Sequence, residues 1–241
     1  MCLKLLLTPF RLNILTSSLP WRESKSICFH ILASVTSLRS QQLSLPVTHR
    51  CPPHPEGFAI AQYTSPTIIL PDGTYLSDSR KIADEIDKRY PTPSVHLDDP
   101  KLKELEGIMP NIMSALVGVY IPLVPVRLLN EASHPHWYST REKRVGMPLS
   151  QLAEQRGGDI GYREAQPFLM AITKMLVENS EGPFFAGKEV GYVDFVWGGF
   201  LIFMKRIGDD VYEGVVGMSG RPEVHGKFLE ALEPWSARDD H

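Results

Sequence analysis

Residues 192–207, YVDFVWGGFLIFMKRI, are apolar on nearly every side of a helix drawn at 3.6 residues per turn. A helix of that kind cannot rest on a surface with one face in water, so the segment from Tyr192 to about Ile207 predicts the centre of a helical bundle. Its most apolar stretch, 195–204, falls short of the roughly 18 uninterrupted apolar residues that crossing a bilayer requires. The segment therefore reads as a core helix, and its neighbours must supply the layers that cover it.

Those neighbours lie mostly upstream. In YREAQPFLMAITKMLVENS, Phe168, Leu169, Ile172, Met175 and Leu176 recur at helical spacing, and the pattern closes at SEGP. STREKRVGMPLSQLAEQRGG contains a helix ending at the Gly157–Gly158 pair. The apolar segment 101–130 carries Pro110, Pro122 and Pro125, which predicts kinked or consecutive short helices broken at those prolines.

The chain before residue 100 follows different rules. PTIIL is β-branched and flanked by prolines, as suits a buried strand. PDGT follows as a turn, with Pro71 fixing φ and Gly73 free to take positive φ, and YLS is the return strand of a hairpin. Asp78 or Ser79 then caps a helix whose apolar stripe is Ile82, Ala83 and Ile86, and which stops at RYPTP. The proline-rich stretch 90–100 has no apolar periodicity and marks a boundary. A hairpin and helix followed by helices alone predict an α+β protein: an α/β part, then an all-α bundle.

Charge narrows the partners. With 25 basic and 28 acidic side chains, the net charge near −3 gives neither a nucleic-acid footprint nor a polybasic membrane surface. Small molecules and proteins are the expected partners. Cys2, Cys28 and Cys51 are odd in number and lack C-x-x-C spacing, which argues against a disulfide scaffold or a zinc site and fits a reducing compartment. Residues 1–50 stand apart, holding six bases (Lys4, Arg11, Arg22, Lys25, Arg39 and Arg50) against the single acid Glu23. Their Ser- and Leu-rich composition fits a cleaved organellar presequence, a divergent first strand–helix unit, or a wrongly assigned first exon.

Within the hairpin region two features converge on one kind of ligand. Ser65–Pro66 enters the strand where a cis peptide would turn the Ser65 N–H and C=O outward, free to pair with an extended peptide. SDS, at 77–79, places a carboxylate and a hydroxyl at a helix mouth, where unpaired N–H groups and the positive dipole end attract an anion. A ligand with a peptide-like middle and a zwitterionic end would touch both.

On these residues the stretch from Pro52 to about Arg89 resembles the second half of the thioredoxin-like domain of a glutathione S-transferase. REKRVGMPLSQLAEQRGG, PFFAGKEVGYVDFVWGGFLIFMKRI and PWSARDD resemble the helical domain of the fungal, etherase-like members, so the likeness covers 52–240. It implies an atypical segment at 1–50, the remainder of a thioredoxin-like domain at 51–92, a linker at 93–98 and an all-helical domain at 99–241. By the same resemblance, Pro66 matches the family's cis-proline, and Ser65, Pro66, Asp78 and Ser79 bind glutathione as cosubstrate. It further implies a cytoplasmic homodimer, acting without a metal on an electrophilic small molecule, in detoxification or secondary metabolism. The alternative is a binding or scaffold protein that keeps the fold without turnover.

The family activates the glutathione thiol with a hydrogen-bond donor near the end of its first strand, and the thiolate is the nucleophile. In TSSLPWR the resemblance points to Ser17, four positions before Trp21, with Ser18 as the alternate. Cys28 beside Ile27 and Phe29 reads as a small buried hydrophobe rather than a nucleophile. At the start of the bundle's central helix, relatives carry Ser or Thr followed by Asp three residues on. Here Gly191 and Asp194 leave half a capping box, with Asp194 able to reach back to the Gly191 N–H.

Other constellations are thin. His134 and His136 lack acidic or Cys partners for a metal shell and read as part of a solvated loop. His49, Cys51 and His54 are separated by two stiffening prolines, and Gly157–Gly158 lacks the Lys-Ser or Lys-Thr of a phosphate loop. Tyr120, Trp137, Tyr138 and Trp197 are either cleft-lining or core aromatics.

Overall fold

The computed structural model describes residues 13–14, 67–70 and 74–236. Three short strands, β1 (Asn13–Ile14), β2 (Thr67–Ile69) and β3 (Tyr75–Ser77), form an antiparallel sheet in the order β1-β2-β3. Register pairs Asn13 with Ile69, Thr67 with Ser77 and Ile69 with Tyr75. The β2–β3 hairpin expected from PTIIL and YLS is present, closed by Leu70 N–H donating to the Thr74 carbonyl at 2.8 Å. Its turn residues 71–73 lie outside the described residues.

Helix α1 (Ser79–Arg89) follows directly and buries Ile82, Ala83 and Ile86, the stripe read from the sequence. Each buried isoleucine contributes roughly 1.5–3 kcal/mol of apolar transfer. Asp78, not Ser79, is the cap. The following stretch to Asp99 is more than a polar connector. Val95 is buried, its N–H bonds Asp87 Oδ1, and its carbonyl accepts the Tyr192 N–H at 2.8 Å. The Thr92–Pro93 peptide is cis.

Helix α2 (Pro100–Ala115) starts with Asp99 as cap and Pro100 in the first turn, then meets α3 (Val117–Arg127) at a bend of 73°. Here the sequence expectation is corrected, because Pro110 lies inside α2 and Pro122 and Pro125 inside α3, while the break falls at Leu116. Packing supplies the cause. A Cβ on Gly118 would overlap the Arg156 carbonyl, and Arg156 in turn donates to the Ser114 carbonyl at 2.9 Å, satisfying the exposed end of α2.

A 3₁₀ turn (Glu131–Ser133) leads into α4 (His134–Val145), which ends at Gly146 in a left-handed conformation with φ of 78°. The solvated loop expected around His134 and His136 is therefore the first turn of a helix, opened by Pro135 where the missing N–H costs nothing. Helix α5 (Leu149–Arg156) stops at Gly157, as the glycine pair predicts, and α6 (Gly158–Val177) begins at the next residue.

Helix α7 (Tyr192–Ile207) is buried on all sides and is the centre of the bundle, as its composition requires. Two further helices, α8 (Asp209–Gly217) and α9 (Pro222–Ser236), complete the cover. Of the aromatics weighed as cleft residues, Trp197 is fully buried and stacked on Phe200, and Trp137 is buried with its indole N–H on the Ile121 carbonyl. Both belong to the core. Trp197 also donates to His225 Nδ1 at 3.2 Å, and because an indole N–H can only donate, the His225 proton sits on Nε2, facing Thr173 Oγ1 at 2.9 Å. Burial lowers the His225 pKa to about 4, so it is neutral at pH 7. No single helix among the described residues is long and apolar enough to cross a membrane.

Candidate functional site

Where β3 hands over to α1, the chain turns through Asp78 at φ 84° and ψ 120°, a backbone conformation that a side chain rarely tolerates. Its Oδ1 accepts both the Arg80 N–H at 2.9 Å and the Lys81 N–H at 3.3 Å, two of the first-turn donors that a helix leaves without intrahelical partners. Oδ2 takes part in neither bond, and the side chain is exposed. One carboxylate thus caps the helix with one oxygen and presents the other outward.

Ser79 is half-buried and its side chain hydrogen-bonds the Tyr192 phenol at the start of α7. Burial is the chief reason that the Tyr192 pKa is raised, so the phenol stays neutral. Arg80 clamps the same corner. Its guanidinium donates to the Leu97 carbonyl at 3.1 Å, Asp84 Oδ1 at 3.1 Å and Glu106 Oε1 at 2.9 Å, and lies 6.0 Å from the Tyr192 ring centre. The α1 mouth is therefore fixed to α2 and α7.

Asp194 fixes the other side of that corner. Its Oδ2 accepts the Gly191 N–H at 2.7 Å, the surviving half of the capping box expected from the sequence, and its Oδ1 accepts the Phe185 N–H at 3.0 Å. Glycine has no side chain to return the bond. Burial raises the Asp194 pKa to about 6 even though both N–H groups favour the carboxylate. Tyr192 reaches Ser79 from a turn held by this buried carboxylate.

Of the site residues read from the sequence, the structure describes Asp78 and Ser79 as adjacent at one helix mouth. Ser17, Ser18, Ser65 and Pro66 lie outside the described residues, as do Cys28, His49, Cys51 and His54. Among the described residues no three His, Cys, Asp or Glu side chains converge as a metal site. Sequence reasoning missed Tyr192, Arg80 and Glu106. The only local trace of their role is Arg80 directly after the Asp-Ser pair.

Residues 106–235 match the family model described as the glutathione S-transferase C-terminal domain, more than half of the chain. The chain belongs to that family. A glutathione S-transferase-like protein of Aspergillus flavus, ustS, is 25% identical over 217 residues, covering 83% of this chain and 73% of its own length. Glutathione transferase GSTFuA3 of Phanerochaete chrysosporium superposes with a TM-score of 0.70 at 16% identity, covering 97% of this chain and 99% of that one. A glutathione S-transferase of Ceriporiopsis subvermispora, solved in complex with glutathione, gives 0.67 at 21% identity, with 97% and 99% covered. The glutathione S-transferase fold with a helical C-terminal domain is established by these matches.

Proposed function

We propose that this glutathione S-transferase-like protein is a glutathione transferase, joining the thiolate of glutathione to an electrophilic, fairly apolar organic molecule. Asp78 carries the reading: a carboxylate held on a strained backbone, with one oxygen committed to the helix and the other turned out to solvent. Strain of this kind persists where surrounding structure enforces it, and it clusters at ligand sites. Asp78 Oδ2 would pair the ammonium of the glutamyl end, and the α1 mouth with Ser79 would take its carboxylate. Ser65, ahead of a cis Pro66, would bond the cysteinyl backbone as an added strand does.

Ser17, or Ser18 in its place, would donate its O–H to the sulfur and so favour loss of the thiol proton. The thiolate then forms an S–C bond while the leaving group departs with its electron pair. With an ether substrate the C–O bond breaks and the released oxygen takes a proton. The division into an atypical 1–50 segment, a thioredoxin-like remainder at 51–92, a linker at 93–98 and a helical 99–241 domain belongs to this proposal. So do a cytoplasmic homodimer and a role in detoxification or secondary metabolism.

Calorimetric titration with glutathione tests the site. Changing Asp78 and Ser79 together to Ala should weaken binding at least ~10-fold, as loss of a charge-assisted pair implies, and unaltered affinity overturns it. The Ser79 bond to Tyr192 favours a second reading, in which the fold binds a ligand without turnover. Conjugation of a model electrophile that disappears in Ser17→Ala refutes that reading, and absence of conjugation in a glutathione-binding protein supports it.

A further inference from the structure

On one face of α4, Trp137, Arg141 and Arg144 follow at the i, i+4, i+7 spacing that stacks side chains in a row. The Trp137 indole is fixed by its N–H bond to the Ile121 carbonyl at 3.1 Å, and the Arg141 guanidinium lies 4.3 Å from its ring centre. The one hydrogen bond that Arg141 makes among the described residues is to Thr140 Oγ1 at 3.1 Å, a neutral acceptor. Neither Arg141 nor Arg144 has an ion pair among the described residues. Glu142, the single acid of the helix, is committed to the Leu149 N–H at 3.1 Å.

Tyr120 of α3 faces the two arginines. Its half-buried ring packs edge-on against Phe203 with centroids 6.0 Å apart, and its hydroxyl has no hydrogen-bond partner among the described residues. The charges of Arg144 and Arg141 both act on that phenol, whose pKa burial raises, so it remains a donor at neutral pH. Burial, followed by the Arg144 charge, lowers the pKa of Arg141, as expected of a partly covered cation without a counter-ion. Half-buried guanidinium groups are ordinarily neutralised or hydrogen-bonded, and this one is held flat and ready with its charge unanswered.

We propose that Arg141, Arg144 and the Tyr120 hydroxyl form a binding site for an aromatic organic anion, a carboxylate or sulfonate whose acidic group lies between the two guanidinium groups and whose ring packs on Tyr120. The fork of Arg141 suits a two-oxygen acid group, and the Tyr120–Phe203 wall suits a flat apolar body. The site is separate from the α1 mouth. Tyr192, which touches Ser79, and Phe203, which touches Tyr120, lie on the same helix α7, about 16 Å apart at 1.5 Å per residue. An extended tripeptide spans only about 10 Å.

The test is calorimetric titration of the full chain with naphthalene-2-sulfonate and with its neutral sulfonamide, with and without saturating glutathione. The sulfonate should bind at least ~10-fold more tightly than the sulfonamide, as expected for a charge-assisted bidentate contact. Arg141→Gln should abolish that preference, and the exposed Arg144→Gln, which leaves the packing untouched, should reduce it several-fold and flatten its salt dependence. Glutathione should not displace the sulfonate. Equal binding of the two probes, unchanged affinity in both arginine variants, or displacement by glutathione overturns the proposal. Failure to bind glutathione would count against the proposed transferase site and leave this one standing.

Discussion

Replacing Asp78 by Gly separates stability from binding in a single position. A non-glycine residue at φ 84° and ψ 120° costs about 1–3 kcal/mol of backbone strain, which Gly removes. Against this, Gly adds about 0.5–1 kcal/mol of unfolded-state entropy. Exchanging the Asp cap for Gly costs a few tenths more, with the two bonds to Arg80 and Lys81 N–H lost. The net is a gain of about 1 kcal/mol, which for a chain of this size raises Tm by roughly 2–4 °C. Glutathione affinity should fall by ~10-fold or more in the same variant, because the outward Oδ2 is gone. Urea denaturation and calorimetric titration on one preparation give both numbers. Asp78→Asn is the control, since it keeps the cap and the conformation while removing the charge. A less stable Asp78→Gly protein that binds glutathione as before refutes the link between strain and site.

The buried pair His225 and Asp194 gives a pH prediction whose two parts oppose each other. His225 is depressed to about 4, so its contribution is full above its unfolded value of 6.5 and is lost as pH falls toward 4. Asp194 is raised to about 6, so its contribution is full below its unfolded value of 3.8 and is lost as pH rises toward 6. Each swing is about 3 kcal/mol, since every tenfold change in proton affinity between the folded and unfolded chain is worth about 1.4 kcal/mol. His225→Gln keeps an acceptor for Trp197 and a donor for Thr173 but does not titrate, so relative to the unaltered protein it should gain about 3 kcal/mol between pH 7 and pH 4 in urea titrations. A stability difference independent of pH would contradict the buried neutral imidazole. Gly118→Ala should destabilise by about 2 kcal/mol, the cost of overpacking against Arg156 outweighing the helix propensity gained, and a thermal melt at unchanged or higher Tm would remove Gly118 as the cause of the bend at Leu116.

The central helix, the α1 stripe, the hairpin and the Asp194 half-cap were all legible in the residues themselves. Each rests on groups within one or two turns of each other: Ile82, Ala83 and Ile86 share a face by spacing, and Asp194 lies three residues from the N–H it holds. Three prolines in α2 and α3 misled because proline only weakens a helix where it stands, and the surrounding bundle held those turns in place. The actual break needed Gly118 to meet Arg156 across a helix contact, and local pattern carries no record of that meeting.

The candidate site divides in the same way. The sequence alone set Asp78 and Ser79 at a helix mouth, since capping chemistry is decided by two or three consecutive residues. Only the tertiary structure could decide that Asp78 turns through positive φ, that Tyr192 and Arg80 lock the corner, and that Arg141 lies on Trp137 without a counter-charge. These outcomes depend on which distant groups packing brings together, and on which charges it leaves without a partner. Residue order fixes the local preferences, and burial in the folded bundle selects among them.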